Sequence, residues 1–124
     1  PAEEFPREAL AATVRWSKEA GKELSAQWEP EDAVAAVARV APFSEGRLVV
    51  TAAGSRLTFR AVSQRGEAEE SVLATVRRPF EVDAAPDLVA DAVGRAASCS
   101  VPASGECLVF REKGWELVVM GMQR

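Results

Sequence analysis

The chain has 124 residues and a formal net charge of −4. It has no histidine, no tyrosine and only two cysteines, Cys99 and Cys107. That composition removes Ser-His-Asp and Cys-His catalysis, nearly every zinc site and any disulfide framework. No apolar run approaches the roughly 18 residues of a membrane span, and Glu3, Glu4, Arg7 and Glu8 interrupt any signal-peptide core.

Residues 6–29 read as one long amphipathic helix. Ala9, Leu10, Val14, Trp16, Ala20, Leu24 and Trp28 fall on one side and Arg7, Glu8, Arg15, Lys18, Glu19 and Lys22 on the other. Pro30 disfavours helix at Glu29 and stops it. Residues 30–41 read as a second helix, with Pro30, Glu31 and Asp32 in its first turn and Pro42 ending it. A strand meander follows: 47–53, a turn at Gly54-Ser55, 56–63 with Leu57, Phe59 and Ala61 on one face, and 69–77. Asp83 reads as the cap of a third helix that begins at Pro86 and runs to about residue 98. Residues 98–105 read as loop, and 106–111 with 115–122 as a final hairpin around Glu112-Lys113-Gly114. The expected fold is α+β, in two layers. One antiparallel sheet of about five strands carries helices on one face, in the order α-α-β-β-β-α-β-β, as a single domain over 1–124.

Charge is uneven along the chain. Residues 1–32 hold 8 acids and 4 bases, residues 33–80 hold 4 acids and 7 arginines, and residues 81–124 hold 7 acids and 4 bases. In the arginine-bearing third, Arg56, Thr58 and Arg60 share a strand face and Arg77 stands on a neighbouring strand. The face is either a solvated surface opposite the helices or a contact for an acidic peptide, a phosphate or RNA. No aromatic residue lies among Arg56, Thr58, Arg60 and Val62, and RNA-binding sheets use such rings.

The other candidates have structural readings beside the functional ones. Glu31-Asp32 and Asp83/Asp87 sit where helix N-termini favour negative charge, and Glu69-Glu70 point to opposite faces of a strand. Cys99 and Cys107 read as buried thiols, with a disulfide left open. Trp28 is either core filling or an interface anchor. The last strand, with Val118 and Met120, carries no charge after Glu116 and invites a partner strand if it is an edge.

The order α-β-β-β-α-β-β over residues 30–122 resembles that of type III secretion chaperones without their final helix, and the acidic balance and small size are similar too. The resemblance implies a protein that holds an extended client segment. Residues 34–63, a short helix followed by a hairpin, also resemble the ferredoxin-like domains of bacterial secretion and pilus assembly platforms. Neither resemblance carries a functional residue over.

The reading is a non-catalytic protein-protein interaction module, an adaptor or assembly subunit that is homo-oligomeric. Its expected binding residues are Trp28, Arg56, Thr58, Arg60, Arg77, Val118 and Met120. The alternatives are a secretion-chaperone-like protein, a small-ligand carrier with an enclosed apolar cavity, and a small histidine-free enzyme. No cofactor, no metal, no nucleic acid and no membrane insertion are expected, and the expected location is the cytoplasm.

Overall fold

The computed structural model describes residues 24–64, 66–112 and 114–122. The helix expected over residues 6–29 lies outside the described residues up to position 23.

The elements come in two runs of the same kind. The first run is β1 (Ala26–Trp28), α1 (Pro30–Val40), β2 (Leu48–Ala53), β3 (Arg56–Ser63) and β4 (Gly66–Val76). The second is β5 (Phe80–Ala84), α2 (Pro86–Arg95), β6 (Ser98–Ser100), β7 (Cys107–Glu112) and β8 (Trp115–Met120). Each run reads β-α-β-β-β. All pairings are antiparallel, and one eight-stranded sheet has the order β5-β2-β3-β4-β1-β6-β7-β8. Adding four to each strand number reproduces that order, provided β8 is placed next to β5. The sheet curls to bring those edges together: the Met122 amide N–H donates to the Asp83 carbonyl oxygen at 2.7 Å.

Both helices start at a proline that has no N–H to lose, with acids in the first turn and an arginine in the last. The one-sided apolar spacing buries Ala33, Ala36, Val37 and Val40 on α1, and Val89, Ala92 and Val93 on α2. Pro42 converts the end of α1 into a 3-10 turn, Ala41–Phe43. The helices pack against each other. A Cβ on Gly94 would lie 2.8 Å from a Val34 methyl.

Strand alternation fills the core. Leu57, Phe59 and Ala61 are buried while Arg56 and Val62 are exposed. Phe59, Leu48 and Leu57 from the first run meet Phe110 and Leu108 from the second in one cluster. Trp28 bridges the two, with its ring edge-on to Phe110 at a centroid distance of 6.0 Å.

The expected sheet of about five strands, with helices on one face of two layers, is corrected to eight strands curled almost closed. The missed strands are the short ones. Residues 26–28 were assigned to the end of the first helix, yet Ala26 pairs with Val76 and with Cys99. Asp83 caps no helix: it lies within β5, opposite Val49, and Ala85 occupies the cap position. Residues 98–100, where the sequence reads as loop, form β6 between β1 and β7. Three to five residues are too few for a period-2 pattern, and their pairing is set by partners far away in the chain. With β5 and β6 present, the secretion-chaperone-like element order is lost.

Candidate functional site

The two-residue hairpins fix which way the backbone groups point. Ser63 pairs with Gly66 across one turn and Glu112 with Trp115 across the other. Gly114 (φ +92°) supplies the left-handed geometry of the second turn. Along β4 the even-numbered amides face β3, as the bond from Ala74 N–H to the Ser55 carbonyl oxygen shows. The odd-numbered amides face away, and Arg77 N–H reaches the Ser25 carbonyl oxygen beyond β1. Only Ala74–Val76 of β4 pairs with β1. The outward amides of Glu67, Glu69, Ser71 and Leu73 therefore have no strand beside them among the described residues.

The same alternation holds in β8. Gly121 N–H returns to Glu106, whereas Met122 N–H points outward to Asp83. By that parity the amides of Glu116, Val118 and Met120 point outward as well. Among the described residues β8 is thus an edge strand over most of its length, joined to β5 only at its far end. A groove of about 430 Å³ opens at that junction, lined by Val82, Asp83, Glu106, Met120, Gly121 and Met122. Met120 and Met122 are 41% and 40% exposed, which places two flexible apolar side chains at its mouth. Gly121 is needed there, because a Cβ would stand 2.7 Å from the Glu106 carbonyl oxygen.

The sequence-based site residues separate into three places. Val118 is partly buried and Met120 exposed, both on the edge strand β8. Arg56, Thr58 and Arg60 lie on the face of β3 opposite its buried residues, as the alternation required. Thr58 exchanges a hydroxyl hydrogen bond with Ser71 at 2.8 Å, and Arg60 stands 3.7 Å from Glu67. Arg77 lies just past β4, about 13 Å along the strand direction from the Leu73 that pairs with Arg56. Trp28 sits in the core, 7% exposed, the first of the two roles the sequence leaves open.

The acid pairs do structural work. Glu31 and Asp32 occupy the first turn of α1, and an Asp87 carboxylate oxygen accepts from Leu88 N–H at 3.1 Å. Glu70 reaches across to Arg39 on α1 at 2.9 Å, while its neighbour Glu69 lies on the other face opposite Arg60. Cys99 and Cys107 are both free and buried. Cys99 pairs with Phe110 on the core face, and Cys107 pairs with Met120 on the other, so they cannot bond to each other. Burial pushes the Cys99 thiol well above its ordinary value, which keeps it protonated and unreactive.

The apolar void enclosed by Trp28, Leu57, Val89, Cys99 and Phe110 measures only about 10 Å³. That is about one water-sized probe and leaves a carried small ligand no room. Among the described residues no helix is long and apolar enough to cross a membrane, and no cluster of three or more metal-ligating side chains occurs.

The groove residues Val82, Gly121 and Met122 were not found from sequence. Two exposed methionines around a glycine at the end of an apolar strand were the available signal. It became meaningful only once residues 80–84 were seen to be a strand.

No protein-family model and no curated protein matches the sequence. Solved structures do share the fold. The DNA polymerase sliding clamp from Pseudomonas aeruginosa superposes with a TM-score of 0.75 at 16% identity, covering 100% of this chain and 36% of that one. The DNA polymerase III subunit beta sliding clamp from Bartonella birtlesii bound to griselimycin gives 0.75 at 17% identity, over 99% of this chain and 35% of that one. The Caulobacter crescentus beta sliding clamp with bound polyethylene glycol gives 0.67 at 18% identity, over 78% and 29%. This chain therefore spans about a third of the length of the clamps it resembles, and at these identities the likeness is one of fold.

Proposed function

We propose that the chain is a non-catalytic protein-interaction module that serves as an assembly subunit and joins other protein through its free strand edges. The observation that carries this reading is the edge of β8, open among the described residues, with outward amides at Val118 and Met120 and few charges to repel a partner strand. The open stretch of β4 differs in carrying Glu67, Glu69 and Glu70, which discourage indiscriminate pairing there. A strand added at β8 comes from a second copy or from a unit of like fold.

Light scattering across a concentration series tests this. The expected result is a mass that rises above the single-chain 13.3 kDa with concentration. Val118→Pro removes one outward N–H while leaving the β7 ladder bonds intact, and it is expected to hold the chain at the single-chain mass. A wild-type mass that stays at the single-chain value up to the solubility limit would overturn self-association.

A second reading rests on the groove between β5 and β8. Exposed Met120 and Met122 offer apolar contacts at the groove mouth beside the outer edge of β8, which suits an extended client segment laid along the seam. Crosslinking from a photoreactive residue at position 122 would report such a segment.

The likeness to polymerase clamps places nucleic acid beside protein as a partner class to test. The helix surface argues for protein. Glu31, Asp32, Asp87 and Asp91 are exposed there, and the arginines in the last turns, Arg39 and Arg95, are held by Glu70 and Asp91 at 2.9 and 3.0 Å. Such a surface repels a polyanion. Fluorescence anisotropy with a labelled duplex is expected to show no binding at physiological salt.

A further inference from the structure

The arginines of this protein fall into two groups. Among the described residues, Arg39, Arg47, Arg60, Arg95 and Arg111 each form an ion pair, with Glu70, Asp83, Glu67, Asp91 and Glu116 respectively. Of the others, which form none, Arg78 is half-buried while Arg56 and Arg77 are exposed. Both lie at one end of the outer sheet face, on the side of β3 and β4 away from the core.

Leu73 stands beside Arg56; at 74% exposed it is the most exposed large apolar side chain described. It is directly opposite Arg56 in the β3–β4 ladder. Beside it a shallow hollow of about 390 Å³ is lined by Gln27, Glu29, Ser55, Ala74 and Thr75, among others, Glu29 being its one charged residue. The residues that follow Leu73 on the same face are Thr75 and then Arg77, which puts the two guanidinium-bearing positions about 13 Å apart along the strand. Two exposed arginines without an ion pair, one with an exposed leucine beside it, form a patch with a definite complement.

We propose that this end of the outer sheet face binds an acidic, extended segment of a partner protein. Carboxylates four residues apart in an extended chain match the arginine spacing, and a central apolar side chain falls level with Thr75, in the hollow beside Leu73. Arginine favours carboxylate because its planar fork pairs with both oxygens. A nucleic acid fits less well. The patch has no exposed aromatic ring on which bases would stack, and the whole chain has net charge −4. This surface is distinct from the β8 edge, so its test and the oligomer measurement fail independently.

The test follows the arginine Nε–Hε signals by NMR during titration with a capped pentapeptide. The peptide has glutamate at both ends, leucine at its centre and alanine between, and a matched peptide has lysines in place of the glutamates. The expected result is saturable shifts at Arg56 and Arg77 with the acidic peptide only. Arg56→Ala and Arg77→Ala should each weaken binding at least fivefold, and the helix-surface control Arg95→Ala should leave it unchanged. All three side chains are exposed, so the variants are expected to fold, and their backbone spectra verify that. The proposal fails if the acidic peptide produces no saturable shift, or if the lysine peptide or Arg95→Ala behaves like its counterpart. It also fails if a twelve-residue oligothymidine saturates the same signals and the acidic peptide does not, since the surface would then be one for nucleic acid.

Discussion

The indole Nε1–H of Trp28 donates to the carbonyl oxygen of Val93 at 3.2 Å, inside the core. Trp28 belongs to the first β-α-β-β-β run and Val93 to the second. Val93 is in the last turn of α2, where helix carbonyls lack a partner four residues on. The indole thus satisfies a helix end while its ring packs on Phe110.

Replacing Trp28 separates these roles. Trp28→Phe keeps apolar bulk but leaves a buried acceptor without its donor, and the expected cost is about 1–3 kcal/mol. Trp28→Ala also empties the site, and about 3–5 kcal/mol is expected. Urea unfolding monitored by circular dichroism measures both. Equal losses would show that the hydrogen bond and ring volume are not separable.

The two glycines in close packing should respond oppositely to a methyl group. At Gly121 a Cβ meets backbone, 2.7 Å from the Glu106 oxygen, and cannot be accommodated without moving the seam. Gly121→Ala is expected to destabilise by about 1–3 kcal/mol. At Gly94 the obstacle is one methyl of Val34, a side chain 40% exposed and able to turn aside. Gly94→Ala gains up to about 1 kcal/mol of helix propensity, so it should be neutral or stabilising. Thermal unfolding of both variants checks the ordering.

Cys99 sets an alkaline limit. Its folded-state thiol is raised far above the ordinary value of 9.0 by desolvation. Above pH 9 the unfolded chain therefore releases a proton that the folded chain keeps. Fewer protons on the unfolded state means stability falls with rising pH, by up to about 1.4 kcal/mol per unit. The contribution is fully present below pH 9 and is lost progressively above it. Cys99→Val should flatten the pH dependence of the urea midpoint between pH 9 and 10.5 relative to the parent.

Hydrogen exchange should alternate along both edge strands. In β8 the amides of Leu117 and Val119 face β7 and are expected to exchange slowly. Those of Val118 and Met120 face outward and are expected to exchange quickly in the single chain. Protection of all four at high concentration would locate the partner strand. The same contrast is expected in β4 between Ala68, Glu70 and Val72 and their neighbours Glu67, Glu69 and Ser71.

Long periodic elements were legible in the sequence, and short or bridging ones were not. The helix from Pro30 and the strand 56–63 have enough residues for their periods to be read, and Pro42 marks the end of the first. Arg56, Thr58 and Arg60 were correctly assigned to one face for the same reason. The three residues of β1 carry no such signal, because Trp28 suits an apolar helix face as well as a buried strand. Asp83 looked like a cap because it stands three residues before Pro86, but it lies within β5, opposite Val49, and its carbonyl accepts from Met122 across the seam. The repetition of β-α-β-β-β was hidden because it is one of arrangement rather than of residue type. The groove at Met122 depends on β5, so missing that strand concealed the groove.

The narrowness of β1 has a mechanical consequence. Three residues, Ala26–Trp28, supply the strand that joins β5-β2-β3-β4 to β6-β7-β8. Across the opposite seam the described backbone contributes the Met122–Asp83 bond. Under a load that pulls those two segments of the sheet apart, a ladder a few bonds long yields before the longer ladders within either segment. The molecule would then part into two halves with their own hairpins still zipped, as a hinge gives way before the doors it joins.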